Sequence, residues 1–178
     1  MKFCSQCGSA HLQWQVPSGD NRARQVCSSC QTIHYSNPNI VAGCLAVWED
    51  KVLLCRRAIE PRVGYWNIPS GYLENGETVE EGAARELWEE AQAKISTPEV
   101  LSIYSLPHIN QVYIHLLGDL VDGLYGVGAE SLESRLFTEA EIPWEEIAFT
   151  SSVFSLQRYF ADRQQGKSKR AHLGAYLK

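Results

Sequence analysis

The residues best placed to do chemistry lie in one short window. Between Glu74 and Glu90 there are seven glutamates (Glu74, Glu77, Glu80, Glu81, Glu86, Glu89 and Glu90) and one basic residue, Arg85. The window carries −6 against a chain total of −5, which leaves +1 for everything else. Read as a helix, it places Glu86, Glu89 and Glu90 at i, i+3 and i+4, within an arc of about 100° at 3.6 residues per turn. Like charges so spaced repel by roughly 0.2–0.5 kcal/mol per pair. A solvated acidic face is the ordinary meaning of such a run. Two features weigh against it: no Lys is interspersed to relieve the repulsion, and the carboxylates border the apolar stripe instead of opposing it. Clustered hard oxygens suit a divalent cation, most readily Mg²⁺ or Mn²⁺, and Mg²⁺ held by few carboxylates keeps positions for substrate phosphates. The window points to phosphate chemistry.

A second set of chemical residues opens the chain. Cys4-x2-Cys7 and Cys27-x2-Cys30 are two knuckles separated by 19 residues. Each lets two thiolates converge on one ion, and two pairs complete a tetrahedral zinc site; the alternatives are disulfides or redox pairs. The Pro17-Ser18-Gly19-Asp20 turn suits a ribbon hairpin. About 35 residues cannot build a sufficient apolar core, so a structural Zn²⁺ that staples the segment is the plain reading. Nucleic-acid contact is the sharper one. Lys2, Arg22 and Arg24 against Asp20 give the ribbon +2, but four thiolates with one Zn²⁺ contribute −2 and cancel it. That favours a staple or a packing surface. Cys44 and Cys55 stand in apolar strand patterns and read as buried thiols.

The elements that must position these groups follow from the pattern. The 178 residues are 44% apolar and 21% charged, as expected of a globular chain. A pI near 5.5 argues against bulk attraction to nucleic acid or anionic lipid. No apolar run approaches a membrane span, and the start lacks the apolar core of a signal peptide, so a cytoplasmic setting is expected. Ser36-Asn37-Pro38-Asn39 marks a boundary, giving a ribbon over 1–36 and a second domain over 37–178. Ile40 to Trp48 and Val52 to Cys55 read as a hairpin turning at Glu49-Asp50-Lys51. Trp66 to Pro69 is a short strand. Thr78 and Glu81 form a capping box that starts a helix over Val79 to Ala91, with Val79, Ala83, Leu87 and Ala91 as its apolar stripe. Val100 to Leu106, Gln111 to Leu117 and Ser134 to Thr138 read as strands, Ser152 to Arg163 as a closing helix, and Lys167 to Arg170 as a loose basic tail. The order suggests a mixed α/β sandwich.

One family matches the acidic window. The Nudix hydrolase signature is G-x5-E-x7-R-E-U-x-E-E-x-G-U, with U a bulky apolar residue. The chain reads Gly71-(x5)-Glu77-(x7)-Arg85-Glu86-Leu87-Trp88-Glu89-Glu90-Ala91-Gln92-Ala93 and resembles that family at every charged position. The fold implied is a Nudix-type α/β/α sandwich with a mixed sheet, preceded by the small zinc ribbon. Gln92 departs from the pattern: the family's glycine would end the helix in the left-handed conformation, where Gln costs about 1 kcal/mol. By resemblance, Glu86, Glu89 and Glu90 bind divalent metal (Mg²⁺ or Mn²⁺), the Gly71 carbonyl and Glu77 join the shell, and Arg85 orients the glutamates, with a salt bridge to Glu77 the obvious option. The implied reaction is hydrolysis of a nucleoside diphosphate linked to a further group. The base is left open between a box glutamate such as Glu89 or Glu90 and a loop residue, for which Glu133 is the candidate, against an ordinary exposed glutamate.

Substrate is the finer question. A ribbon before the box is similar to NADH pyrophosphatases, but their S-Q-P-W-P-F-P-x-S run has no counterpart between Leu101 and Gly118. The chain resembles plant chloroplast-type FAD pyrophosphatases, which also hydrolyse ADP-ribose, through the ribbon, Asn37-Pro38, Val52-Leu53-Leu54-Cys55-Arg56-Arg57, Pro69-Ser70-Gly71-Tyr72-Leu73-Glu74 and Glu130-Ser131-Leu132-Glu133. FAD or ADP-ribose is therefore the expected substrate, with NADH, or a nucleotide-sensing or nucleic-acid-binding protein without catalysis, as alternatives. Arg57 is the candidate phosphate contact, against a surface cation. Trp66, Tyr72 and Tyr104 are candidates to stack a base or isoalloxazine ring, against core packing. The resemblance also implies a homodimer.

Overall fold

A computed structural model describes residues 1–166 and 171–177; the basic stretch expected at 167–170 lies outside the described residues. The chain separates into two compact units, Met1–Asn37 and Pro38–Lys178. The first is a three-stranded antiparallel sheet of β1 (Leu12–Gln15), β2 (Arg24–Cys27) and β3 (Ile33–His34). Its long turn closes through Asp20, whose backbone N–H donates to the Pro17 carbonyl at 3.0 Å. The Asp20 carboxylate then accepts from Asn21, Arg22 and Arg24, so one of the ribbon's few cations is already paired.

The second unit is built on β4 (Asn39–Trp48), β5 (Lys51–Arg57), β6 (Trp66–Asn67), β7 (Ser70–Tyr72), α1 (Val79–Ala91), β8 (Ile95–Leu106), β9 (Gln111–Leu120), β10 (Ser131–Phe137), α2 (Thr150–Gln164) and β11 (His172–Ala175). The main sheet has the order β10-β5-β4-β9-β8-β11, with β6 on β5 and β7 on β4. It is mixed: β4 runs parallel to β9 and β11 parallel to β8, and the remaining pairs are antiparallel.

The unbroken apolar run of β4 follows from burial on both faces. Ala42, Cys44 and Ala46 point to one side, where α1 lays down Ala83, Leu87 and Ala91 with Leu53, Cys55 and Leu116. Leu45 points to the other, where Leu156, Tyr159 and Phe160 of α2 pack with Val52, Leu54, Trp66, Leu101, Leu117 and Phe137. Small residues at the α1 contact let that helix lie close to the sheet. Truncating the fully buried Leu87 to Ala would cost about 2–5 kcal/mol.

Several boundaries differ from the sequence expectation. The stretch read as one strand over Trp66 to Pro69 is split, because Ile68-Pro69 leaves β5 and crosses to β4. β8 begins at Ile95, five residues before the expected Val100, and its early half is exposed, carries Pro98 and has Thr97 at φ 48°. β11 was not expected at all, since its pairing with β8 is a tertiary event with no local signature.

Candidate active site

The helix that carries the acidic window is fixed at both ends. At its start Glu81 N–H donates to Thr78 Oγ1 (3.2 Å) and Thr78 N–H donates to Glu81 Oε2 (2.8 Å), the expected capping box. At its end Gln92 takes the left-handed conformation (φ 49°, ψ 33°) and its N–H still donates to the Trp88 carbonyl. The helix thus ends where a glycine would have ended it.

Burial of the Ala83–Leu87–Ala91 stripe sets the phase of the glutamates. Arg85 is their hub. Its Nε donates to Glu77 Oε1 (2.6 Å) and its Nη2 to Glu77 Oε2 (3.0 Å), a bidentate fork. Nη1 donates to Glu86 Oε1 (2.6 Å) and Glu89 Oε2 (3.2 Å), and Nη2 also donates to the Tyr72 carbonyl (3.0 Å). Both Glu77 oxygens are therefore engaged, Oε2 by the Glu74 N–H as well. Arg85 holds the Glu77 carboxyl below its ordinary range. Here Glu77 anchors Arg85 instead of facing open space.

Glu86 and Glu90 behave differently. Glu90 is buried, and desolvation pushes its pKa up to about 8, with the nearby Glu86 and Glu130 charges adding to the rise. Desolvation also raises Glu86, against the pull of Arg85. Ser70 N–H donates to Glu90 Oε1 at 3.4 Å. The Glu86 carboxylate lies so close to Gly71 that a Cβ there would overlap it. Two carboxylates pressed into a dry corner beside a third, with backbone oxygen at hand, form a hard donor set that a divalent cation would satisfy. The residues fit such an ion. Among the described residues, however, only the four ribbon cysteines close into a set of three or more ligand atoms within 4.8 Å, because Glu86 and Glu89 turn onto Arg85.

The cleft over this corner has a volume of about 580 Å³. One wall is acidic: Glu74, Glu86, Glu89, Glu90 and Glu130. The other is aromatic and apolar, with Tyr72, Tyr113, Phe149, Leu106 and Ile109. Arg57 lines it too, almost fully buried. Its Nε donates to the Pro61 carbonyl (2.8 Å), its Nη2 reaches the Ile59 and Glu60 carbonyls, and its guanidinium lies 5.1 Å from the Phe149 ring centre. Among the described residues no carboxylate forms an ion pair with Arg57; carbonyl dipoles, the Phe149 ring and the nearby Glu90 charge offset its own, and its place in the cleft suits a substrate anion. Gln111 Nε2 donates to Tyr72 Oη (2.8 Å) and braces that exposed ring at the rim.

Two expected site residues fall elsewhere. Trp66 is buried and packs edge-on against Phe137, with ring centres 4.8 Å apart, so it belongs to the core. Tyr104 is likewise core, against Phe154. Glu133 stands exposed on β10 opposite Arg56 and is absent from the cleft lining; Glu130, three residues earlier, is in it. A β-bulge between Ser131 and Glu133 shifts the register at that point. Glu130 is held there by the preceding loop: Gly128 N–H donates to the Glu90 carbonyl (2.9 Å), an approach that leaves no room for a Cβ on Gly128. Sequence reasoning also missed Tyr113 and Phe149. Tyr113 shares the strand phase of Gln111, a signal present in the alternation; Phe149 only precedes a helix and offered none.

The ribbon has its own centre. Cys4 and Cys30 Sγ are 3.6 Å apart and Cys7 and Cys27 Sγ 3.7 Å, beyond a disulfide bond of about 2.05 Å and near the roughly 3.8 Å edge of a ZnS4 tetrahedron. All six cysteines are free. The Thr32 hydroxyl and backbone N–H hold the Cys30 thiol down at about 6, so a thiolate is at hand at neutral pH. The set fits a structural Zn²⁺.

A sandwich with an acidic helix under such a cleft defines a Nudix-type hydrolase fold. The NUDIX domain family model matches residues 37–157 and the Nudix N-terminal zinc-ribbon model residues 2–36; the chain belongs to the Nudix family. In the same fold, a NUDIX hydrolase from Nitrosomonas europaea is 49% identical over the whole of both chains, with a TM-score of 0.93. The NAD-capped RNA hydrolase NudC of Edwardsiella ictaluri is 27% identical over 68% of this chain and 45% of its own length. The ADP-ribose pyrophosphatase of Methanocaldococcus jannaschii is 29% identical over 61% of this chain and 67% of its own. The chain spans about a third to a half of the NudC relatives it matches. No described helix is long and apolar enough to cross a membrane.

Proposed function

We propose that this chain hydrolyses the pyrophosphate bond of a nucleoside diphosphate linked to a further group, with ADP-ribose the preferred substrate, giving AMP and ribose 5-phosphate. One observation carries the reading: the box carboxylates Glu86, Glu89 and Glu90, the guanidinium of Arg57 and the aromatic rings of Tyr72, Tyr113 and Phe149 line one cleft. A divalent metal held by Glu86, Glu89, Glu90 and the Gly71 carbonyl would offset phosphate charge and acidify water. The chain's own residues do the rest. Arg57 draws a phosphate oxygen toward the acidic wall. Phe149, Tyr113 and Tyr72 offer ring faces to the base. Arg85, clamped by Glu77, keeps Glu86 and Glu89 oriented. Glu130 takes the loop-base role for which Glu133 was the candidate: it lines the cleft beside the α1 carboxylates, from the loop before β10, and can accept the proton of an attacking water. The ribbon, residues 1–36, acts as a metal-stapled unit ahead of the hydrolase domain of residues 37–178.

A second reading, hydrolysis of NAD(H) or of an NAD-capped RNA end, is favoured by the NudC relatives. FAD, giving FMN and AMP, rests on the sequence resemblance to the plant enzymes alone. Incubation with Mg²⁺ or Mn²⁺ and a panel of ADP-ribose, NADH, FAD, NAD-capped RNA and dNTPs, with products separated, decides among them. Highest kcat/KM for ADP-ribose supports the proposal; a clear preference for NADH or capped RNA replaces it with the second reading.

A further inference from the structure

The corner formed by Ser70 and Gly71 touches two box carboxylates, Ser70 through its N–H on the buried Glu90 and Gly71 by its closeness to the half-buried Glu86. What holds that corner lies behind it, outside the box. Asn67 Nδ2 donates to Ser70 Oγ (3.2 Å), Ser70 Oγ donates to the Ile68 carbonyl (3.0 Å), and Ser152 Oγ donates to Asn67 Oδ1 (2.7 Å). Ser70 has one hydroxyl proton and spends it on Ile68, so it must accept from the Asn67 amide; that leaves the Asn67 oxygen for Ser152. The chain has one consistent direction. Asn67 and Ser152 are both fully buried. On its other side the corner abuts Gly43, where a Cβ would come within 2.6 Å of the Pro69 carbonyl. The corner cannot move toward β4, and the Asn67–Ser152 pair fixes it from the side of α2.

Replacing both partners of a buried hydrogen bond with apolar groups of like shape is nearly neutral, whereas a neutral polar pair costs desolvation and returns orientation. We propose that Asn67 and Ser152 are positioning residues: Asn67 at the end of β6 and Ser152 in the first turn of α2 set the Ser70–Gly71 corner, and through it how Glu90 and the Gly71 carbonyl would be presented to a divalent cation. The inference rests on the metal-dependent hydrolase reading. It links the helix that carries no box residue to the box itself.

The test uses the full chain, with Ser152→Ala, Ser70→Ala, the double variant and Ser152→Thr. Mn²⁺ affinity is read from the free-ion electron paramagnetic resonance signal without substrate, and kcat and KM for ADP-ribose are measured across a Mg²⁺ titration. Each Ala variant is expected to weaken Mn²⁺ binding about 10-fold, as loss of a partner behind metal ligands does. Its kcat recovers at high Mg²⁺ while KM for ADP-ribose changes less than about twofold. The double variant binds Mn²⁺ no worse than the weaker single one, because both cut the same chain, and Ser152→Thr, which keeps the hydroxyl, restores affinity. Wild-type Mn²⁺ affinity in a folded Ser152→Ala, or multiplicative losses in the double variant, would overturn the proposal. If Thr is not accommodated, the Ser70→Ala and Ser152→Ala cycle decides alone. Absence of turnover by the wild type sinks the hydrolase reading, and the Mn²⁺ cycle still reports on the positioning chain.

Discussion

His115 links the stability of the fold to pH. It sits on β9, fully buried, with Nδ1 2.7 Å from Ser155 Oγ and Nε2 without a hydrogen-bond partner. Ser155 Oγ donates its one proton to the Ser151 carbonyl (2.9 Å), so toward Ser102 Oγ (2.7 Å) and His115 Nδ1 it accepts; the imidazole then carries its proton on Nδ1 and presents a bare Nε2 to a dry interior. Burial depresses its pKa from 6.5 to about 4. A histidine whose folded pKa lies below its unfolded one binds a proton more readily when unfolded, so stability is intact above pH 6.5 and falls as pH drops from 6.5 toward 4. The gap corresponds to about 3 kcal/mol in full, of which about 2 kcal/mol is lost between pH 7.5 and pH 5. Glu90, raised to about 8, has the opposite slope: its contribution declines as pH rises from 4.5 toward 8, so the raw pH profile mixes the two. The perturbation that isolates His115 is His115→Asn, which keeps a polar atom near Nδ1 and does not titrate. Urea unfolding at pH 7.5 and pH 5, with Zn²⁺ present, gives two stability differences between wild type and variant. The variant's packing cost is the same at both pH values and cancels. The difference should shrink by about 2 kcal/mol at pH 5. A shift below about 0.5 kcal/mol, or an imidazole resonance titrating near its ordinary 6.5 in the folded protein, would refute the argument.

Three further outcomes follow. Gln92→Gly should be stabilising by about 0.5 kcal/mol in urea melts, because relief of the left-handed strain slightly exceeds glycine's added chain entropy; a loss above about 1 kcal/mol would show that contact with Gly126 dominates. Metal analysis should find about one Zn²⁺ per chain, and chelation should abolish the ribbon's amide protection while leaving that of α1 and β4 in place. Glu130→Gln should lower kcat by about 10²–10³-fold while Glu133→Gln stays within about twofold; the reverse order would return the base to the residue expected from sequence.

What could be read from the chain depended on whether the information was local. The capping residues Thr78 and Glu81 and the four-residue stripe placed α1 from Val79 to Ala91 without error, since cap and period are both encoded within the helix. The cysteine knuckles were legible for the same reason. Glu130 and Glu133 lie three residues apart in one short run, and the tertiary contact of Gly128 with the Glu90 carbonyl, with the bulge in β10 just beyond, puts Glu130 at the cleft. Trp66 failed because an aromatic on a short strand carries no sign of which face is wet; Phe137 beneath it settles that. Phe149 and Ser152 join the site region through the docking of α2, a contact between segments about 80 residues apart, and β11 exists only because β8 offers it an edge.

The proposed role of the box carboxylates, the buried Glu90 above all, is metal-dependent diphosphate hydrolysis in this cleft. Its most direct test is ADP-ribose turnover in Mg²⁺ by the wild type and by Glu90→Gln. A neutral amide suits the dry position that already raises the Glu90 pKa, so the variant should fold as well as the wild type. AMP and ribose 5-phosphate are expected from the wild type, with a fall on the order of 10³-fold in kcat for the folded variant. Unchanged turnover in Glu90→Gln would contradict that role.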